Sequence, residues 1–559
     1  MLVSPLGDAA VVVRLGDGVD AESARRIRAV ALELERDPLL LMVDVVPAFS
    51  SVAVFFRRPF DDFERIEREL AARISRATDS PTLPPGRNVE IPVCYGGEFG
   101  PDLEEVARHA KLTVDQVVTA HTEGRYVVDA LGFLPGFPYL RGLPPALATP
   151  RRATPRAQVP AGSVGIGGAQ TGVYPIASPG GWNLIGRTPL SLFDATRAGA
   201  ALVQSGDEVR FVAVSSEAFA RIATDCAQET ARLRQADGEG AALSAKENDQ
   251  REATTIAILK PGMLSTVQDL GRMGHRAAGV PLSGAVDAFA LRVANLLVGN
   301  AEDAAGLEFT LIGPDLEFRH GAWVALGGGD FGLPRWRPFR VEAGERLHFG
   351  AARSGCRGYL AIAGGIAVAP VLGSRSTYVR AALGGLAGRA LREGDLLPFN
   401  VVNRHVRGRW QLDPRVLPPY SADPVVRVTA GAHAIEFDPD WSQRAFQVSA
   451  HSDRMGARLT GSPIGRRVSH DLTSTPLTPG TVQVPPDGQP IVLLADAQTI
   501  GGYPMIGHVA SVDLPLVAQL RPHDQLRFRL VSLPDVLAAA AGRERALGLL
   551  REGLAQKLA

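Results

Sequence analysis

Two distant stretches of this chain carry the same short elements in the same order. Gly162-Ser-Val-Gly-Ile166 is followed by Gly168-Ala-Gln-Thr-Gly-Val-Tyr-Pro175 and Ile185-Gly186; Gly480-Thr-Val-Gln-Val484 is followed by Asp496-Ala-Gln-Thr-Ile-Gly-Gly-Tyr-Pro504 and Ile506-Gly507. Downstream, Gly206-Asp-Glu-Val-Arg-Phe211 is matched by His523-Asp-Gln-Leu-Arg-Phe528, and Gly344-Glu-Arg-Leu-His-Phe349 has the same form. One such copy is a common hairpin signal, because Gly with an acid makes a turn and alternating residues make a half-buried strand. A shared order of three elements constrains the fold more. It predicts two related β-barrel domains, one per half, with Gly162 to Phe211 equivalent to Gly480 to Phe528 and Gln170 in the same strand context as Gln498.

Composition agrees with a turn-rich β protein. Gly (60) and Pro (41) make about 18% of the 559 residues, against about 12% in ordinary chains. With 45% apolar residues and 59 basic against 59 acidic side chains, the chain has the composition of a soluble globular protein rather than a disordered one or a dedicated nucleic-acid binder. The N-terminus lacks the basic and apolar regions of a signal peptide, and the apolar stretch from Tyr359 to Gly373 is too short and too broken to span a bilayer, so no membrane role is expected. Cys94, Cys226 and Cys356 are odd in number and far apart, which fits a reducing cytoplasm and neither a disulfide framework nor a zinc site.

Periodicity divides the chain further. Residues 1–85 alternate strand-like runs with two amphipathic helices, whose stripes are Ala24, Ile27, Val30, Leu34 and Phe63, Ile66, Leu70, Ile74; this is a small βαββα sandwich module. Residues 86–225 form the first barrel domain, opened by two short helices with capping signatures at Asp102–Glu105 and Thr113–Gln116. Those helices read as a packed pair rather than a DNA-binding motif, because Thr113 to His121 carries no Arg or Lys. A polar, Ala- and Gly-rich linker spans 226–255. Two barrel-like subdomains are expected at 256–410 and 411–535, the former holding a helix from Val286 to Val298, and a peripheral helix at 536–559 closes the chain.

The chemistry on offer is polar side chains beside Gly-rich loops. No GxxxxGK[ST], HExxH or GxSxG occurs, isolated histidines such as His121 and His348 read as satisfied residues, and no metal is expected. Pro179-Gly-Gly-Trp-Asn-Leu-Ile-Gly-Arg187 offers Gly180 and Gly181 for close backbone approach, Trp182, Asn183, and Arg187 for a carboxylate. Asp496-Ala-Gln-Thr-Ile-Gly-Gly-Tyr503 offers Asp496, Gln498, Gly501, Gly502 and Tyr503. Together they can bind a planar amide and stabilise an oxyanion through backbone N–H groups, and Arg187, Asp496, Gln498 and Tyr503 are the candidate catalytic residues. The glycines read equally well as tight barrel corners. Gln170, Tyr174, Gln268, Asp269, Arg272, Ser283 and Arg454 complete the candidate binding set. Ser283 reads either as part of an anion site at the N-terminus of the Val286 helix or as that helix's cap. Gly132-Phe-Leu-Pro-Gly-Phe-Pro-Tyr-Leu140 reads as core or as a lid.

The first half resembles the B component of 5-oxoprolinase, also called allophanate hydrolase subunit 1 or the Kip-type kinase inhibitor. The resemblance is carried by Gly132–Leu140, Pro155-Arg-Ala-Gln-Val-Pro-Ala-Gly-Ser163 and the Gly180-Gly181-Trp182 loop. The second half resembles the C component, also called allophanate hydrolase subunit 2, through Lys260-Pro-Gly, Thr266-Val-Gln-Asp-Leu-Gly-Arg272, Ser452-Asp-Arg-Met-Gly456 and Gln483-Val-Pro-Pro-Asp-Gly488. The resemblance implies cyclophilin-like β-barrels and a natural B–C fusion. It implies part of an enzyme that opens the lactam of 5-oxoproline to glutamate with a separate A subunit and Mg-ATP. The same pair forms the carboxyltransferase part of biotin-dependent urea carboxylase, so an alternative is carboxyl transfer to a small amide from biotin on a separate carrier. A regulatory Kip-type role is the third reading, disfavoured because fusion tethers the inhibitor to its antagonist at high effective concentration. Homo-oligomerisation is left open.

Overall fold

The computed structural model describes residues 2–16, 20–79, 83–228, 254–402, 410–468, 470 and 472–558, so the expected linker lies, over 229–253, outside the described residues. The N-terminal sheet is antiparallel throughout, in spatial order Leu2–Pro5, Ala10–Arg14, Ser51–Phe56, Met42–Pro47. One face is covered by the helices Ala21–Arg36 and Phe63–Asp79, which bury Ile27, Val30, Leu34, Ile66, Leu70 and Ile74 against Val11, Val13, Val52 and Val54. The alternate residues Ala10, Ala53 and Phe55 face the barrels. Burial on both sides explains why Ser51–Phe56 reads as an unbroken apolar run. The edge strand Leu2–Pro5 is half-exposed and too weakly patterned to be expected from the sequence.

Two closed seven-stranded barrels dominate the molecule. Going round the first, the strands are Asn88–Tyr95, Asn183–Arg187, Ser163–Gly167, Gln170–Val173, Pro138–Arg141, Tyr126–Leu131 and Glu208–Ala213. Going round the second, they are Val425–Ala430, Met505–Val509, Thr481–Gln483, Ile491–Leu493, Gly456–Thr460, Ala445–Val448 and Gln525–Leu530. The two lists run in the same chain order, and each barrel closes by a parallel pairing of its first and last strands. Register agrees as well: Gly186 opposes Val164 as Gly507 opposes Val482, and Arg187 opposes Ser163 as His508 opposes Thr481.

The Ala-Gln-Thr match does not survive this alignment. Gln170 begins a barrel strand, whereas Gln498 follows the equivalent strand and precedes Ile500–Gly501, part of a two-stranded side ribbon. The cause is loop length. Gly168-Ala169 turns the first hairpin, while residues 484–490 turn the second and displace everything after them. The side ribbons themselves, Arg156–Val159 with Ser178–Gly180 and Thr475–Pro476 with Ile500–Gly501, occupy matching places in chain order.

Residues 256–410, expected to be barrel-like, form two open sheets of four and five strands around one core that includes Ile256, Phe318 and Leu397 from one sheet and Val267, Phe309, Leu326 and Leu360 from the other. Among the described residues, single bridges, Ile312 to Ala351 and Ile366 to Phe399, join their ends, and the Gly344 echo falls on an edge strand. The helix Ala288–Leu297 packs on the larger sheet. The C-terminal helix Leu533–Lys557 is not peripheral. It buries Val536, Ala540, Leu547 and Leu554, touching the N-terminal module through Leu533 and Leu537 and the Ala288 helix through Leu547 and Leu554.

The halves share a core. Phe49 and Phe55 from the N-terminal sheet, Phe137, Tyr174 and Trp182 from the first barrel, and Leu477, Ile500 and Met505 from the second belong to one buried cluster. A Cβ on Gly132 would lie 2.7 Å from Ile500, so the backbone of one half is seated directly on a side chain of the other. The buried Asp44–Arg276 pair, at 2.9 Å, adds an ionic tie between the N-terminal module and the second half.

Candidate active site at the junction of the barrels

The Gly132–Leu140 segment is core at the junction. Phe137 is touched edge-on by Tyr139 (5.0 Å), Tyr174 (5.3 Å) and Trp182 (5.6 Å). A Cβ on Gly180 would lie 2.5 Å from the Tyr174 hydroxyl, so only glycine fits there; Gly181 is more open, with Pro155 at 3.6 Å. Burial pushes the pKa of the Tyr174 hydroxyl up to about 12. Asn183 is buried and donates from Nδ2 to the carbonyls of Pro150 (2.8 Å) and Ile166 (3.3 Å), which ties loop to strand. Gln170 is half-buried on its hairpin opposite Gly167. Arg187 lies over the Phe99 ring at 5.8 Å with its Nε buried and unpartnered, and its neighbours are residues of the first barrel.

The second half builds a buried charge network from candidates far apart in sequence. Arg454 donates from Nε and Nη2 to the two carboxylate oxygens of Asp496 (2.9 and 3.0 Å), from Nη1 to Glu308, and from Nη2 to the Gly284 carbonyl (2.6 Å). Burial opposes the guanidinium's charge, but the Asp496 and Glu308 carboxylates outweigh it and hold Arg454 protonated. Ser283 Oγ lies 2.8 Å from Asp496 Oδ1 and 3.2 Å from the Thr377 carbonyl. With one hydrogen for two acceptors, Ser283 serves both in a shared bond. Ser283 has φ of 57°, a left-handed conformation that is costly for a non-glycine residue, and its N–H is anchored on the Ala495 carbonyl at 2.8 Å. Ser283 does not cap the following helix. Asp287 does, accepting the Ala290 N–H at 2.9 Å, so a carboxylate already fills that N-terminus and no anion is received there.

Asp269 organises the adjoining loop. Its Oδ1 accepts from the Gly271 N–H (2.8 Å) and from the hydroxyls of Ser374 (2.7 Å) and Ser376 (2.5 Å), and its Oδ2 accepts from the Arg375 N–H (2.6 Å). Arg272 is fully buried and donates to the carbonyls of Val371 (3.0 Å) and Ser376 (2.5 Å), leaving Nη1 without a partner. Gln268 donates to Thr266 Oγ1 (3.0 Å) and the Thr377 carbonyl (3.1 Å) while its Oε1 is unpartnered. Beyond Asp496, Gln498 is half-buried beside Gly501, Gly502 lies against Ser474 Oγ, and Tyr503 is 47% exposed.

The structure therefore brings Ser283, Arg454 and Asp496 into one network, places Asp269, Arg272 and Gln268 around the neighbouring loop, and packs Tyr174 and Trp182 into the cluster that holds Ile500. Arg187 joins neither group. Sequence reasoning missed Glu308, whose signal was an acid inside the apolar strand Gly306–Thr310. It also misread Asp102, which makes no cap bond. Its carboxylate instead accepts the Leu184 N–H (2.7 Å), Arg152 (3.0 Å) and Arg156 (2.7 Å).

Comparison with known proteins places both halves. Residues 278–530 match the model for the carboxyltransferase domain, subdomains A and B, and residues 1–203 match that for subdomains C and D. The 5-oxoprolinase C subunit of Escherichia coli (strain K12) is 40% identical over 302 residues, covering 52% of this chain and 96% of that protein. The 5-oxoprolinase B subunit of Bacillus subtilis (strain 168) is 42% identical over 227 residues, covering 39% of this chain and 94% of that protein. The crystal structure of TTHA0988 in space group P6522 is 32% identical with a TM-score of 0.76, covering 93% of this chain and 100% of that one. Each half thus spans nearly the whole of a known subunit, and the chain belongs to the carboxyltransferase-domain family of the 5-oxoprolinase B and C subunits, with both joined in one polypeptide.

Proposed function

We propose that this chain is the fused B and C component of an ATP-dependent 5-oxoprolinase, which together with a separate A subunit turns 5-oxoproline, ATP and two waters into glutamate, ADP and phosphate. The observation that carries this reading is the shared core at the junction. Loops from both halves meet there, so a small amide bound between them needs both halves at once.

In this reading the N–H groups around Gly180–Gly181 and Gly501–Gly502 face the oxyanion that forms as the lactam carbonyl is attacked. Asp496, fixed by Arg454 and Ser283, holds an accepting oxygen in one orientation, and Tyr503 and Gln498 line the open side. The nucleotide is assigned to the A subunit. The Ala288 helix N-terminus is closed by Asp287 and Lys260 pairs with Asp315, so neither offers the bare N–H groups and lysine of a phosphate cradle. We place the complex in the cytoplasm; the buried thiols of Cys94 and Cys356 suit a reducing compartment, and no helix among the described residues is long and apolar enough to cross a membrane.

The test is glutamate release with each component omitted. The expected result is no appreciable turnover by the purified chain and turnover on adding the A subunit with Mg-ATP. Full activity of the chain alone defeats the multi-subunit reading. The match of both halves to carboxyltransferase domains favours the alternative, and activity appearing only with a biotin carboxylase, a biotinylated carrier and bicarbonate moves the assignment there.

A further inference from the structure

Glu308 is an acid in a strand otherwise suited to burial. It stands in Gly306–Thr310 between Thr266 on one neighbouring strand and Tyr359 on the other, and is 1% exposed. A buried ionised side chain is a poor stabiliser, because apolar residues of similar volume often hold a core as well or better. What Glu308 does is reach in two directions. Its Oε1 accepts from Arg454 Nη1, and its Oε2 accepts the Val286 N–H at 3.0 Å and the Tyr359 hydroxyl at 2.8 Å.

Both directions lead to the contact between Ser283 Oγ and Asp496 Oδ1 at 2.8 Å. Arg454 carries the first to both oxygens of Asp496, at 2.9 and 3.0 Å, and to the Gly284 carbonyl at 2.6 Å. The second fixes the backbone just after Ser283, at Val286 directly and at Asp287, whose N–H donates to the Tyr359 hydroxyl at 2.8 Å. Ser283 and Gly284 are consecutive left-handed residues, with φ of 57° and 84°. For a serine that backbone is costly, and it persists only where the surroundings over-determine it. Here they do. The Leu282 carbonyl accepts the Arg272 N–H, the Ser283 N–H donates to the Ala495 carbonyl, and the Ala285 N–H donates to the Asp269 carbonyl, at 2.7, 2.8 and 2.9 Å. The three remaining ties, at Gly284, Val286 and Asp287, are made by Glu308 or by a side chain bonded to it.

We propose that Glu308 is a positioning residue that locks Ser283 and Asp496 into one fixed pair, so that Asp496 keeps its accepting oxygen in a single orientation at the reacting amide. The proposal rests on the reading above, in which Asp496 acts on the lactam, and adds the buried side chain that aims it.

The experiment uses the full chain, with the A subunit and Mg-ATP added for turnover. Glu308→Gln leaves Arg454 and Asp496 as a neutral pair, so it is expected to fold; if it does not, Glu308→Asp, which keeps the charge but is too short for both arms, takes its place throughout. Leu34→Ala, at a fully buried position of the N-terminal module, serves as a destabilised control. Glu308→Gln and Ser283→Ala are each expected to lower kcat about tenfold with KM changed less than about threefold, while the control keeps kcat within about threefold. The double variant is expected to lose about thirtyfold at most, because both changes loosen the same pair; independent effects would multiply to about a hundredfold. Amide hydrogen exchange over residues 282–287, followed by mass spectrometry, is expected to quicken at least about tenfold in Glu308→Gln and not in the control. A kcat within threefold of wild type in Glu308→Gln overturns the proposal and leaves the oxoprolinase reading standing, and a hundredfold loss in the double variant also overturns it. A wild type that releases no glutamate with the A subunit and Mg-ATP sinks the oxoprolinase reading instead. The exchange measurement then decides on Glu308 by itself: faster exchange in Glu308→Gln supports the lock, and unchanged exchange overturns it.

Discussion

Arg454 neutralises two buried carboxylates at once, and removing it strands both. Arg454→Ala is expected to destabilise the fold by about 3–5 kcal/mol, measured by urea unfolding, because Asp496 and Glu308 are then buried without compensation. Asp496→Asn keeps the shape and one hydrogen bond to Arg454, so its expected effect is on chemistry: turnover lowered at least about tenfold, or about 1.4 kcal/mol, with a smaller change in melting temperature. Arg187→Ala separates two roles for that side chain. A similar fall in turnover at unchanged stability places it in the site, and a fall in stability with unchanged kcat places it as a support for the Phe99 turn. Asp287 makes a prediction about pH. Burial raises its pKa from 3.8 to about 6, partly offset by bonds from Gln519, the Ala290 N–H and Tyr420. The folded state therefore holds this proton more tightly than the unfolded chain does, so the group's contribution is greatest below pH 4 and is lost as pH rises through 6. Asp287→Asn does not titrate, and its stability relative to wild type is expected to rise between pH 4 and pH 7 in denaturation series.

Among the elements, the C-terminal helix has the most to lose from a single change. Leu547 is fully buried between this helix and the Ala288 helix, and Arg292 reaches across to Glu544 at 2.6 and 2.8 Å. Leu547→Ala is expected to cost about 2–5 kcal/mol in urea unfolding, the range for emptying a buried leucine site. The sequence showed this helix clearly but not its packing. Its apolar residues are spread round the helix because it touches three different partners along its length, so no one stripe marks a buried face. The paired glycines Gly162 and Gly480 were more legible. Both have positive φ, 80° and 93°, at the entry to equivalent strands, and a Cβ would lie 2.3 Å from the Thr188 carbonyl in one barrel and 2.8 Å from the Val509 carbonyl in the other.

At the scale of the whole molecule, the junction between the halves is continuous core rather than a tethered contact. Phe137, Trp182, Phe55 and Ile500 are buried together, and Asp44 and Arg276 are charged groups that bury only as a pair. If a protease site is inserted between residues 229 and 253 and cut, the halves are expected to elute together as one particle of the uncut chain's size. Separation on dilution would show that the covalent join, not the core, keeps them paired.

The sequence by itself determined the repeated barrel, the N-terminal module and the family, because these rest on local order: turns, alternation and motif succession are written residue by residue along the chain. It also named Ser283, Arg454 and Asp496 as separate candidates. What joins them is tertiary. Asp496 meets Arg454 because Gly456–Thr460 pairs with Ile491–Leu493 inside the second barrel, and Ser283 joins them only because that barrel docks on the two-sheet unit, from which Glu308 enters on a strand whose burial on both faces erases its period. The Ala-Gln-Thr echo failed for the complementary reason. A longer hairpin loop shifted the second copy off its barrel strand, and sequence similarity does not register a change in strand context that costs a folded loop almost nothing.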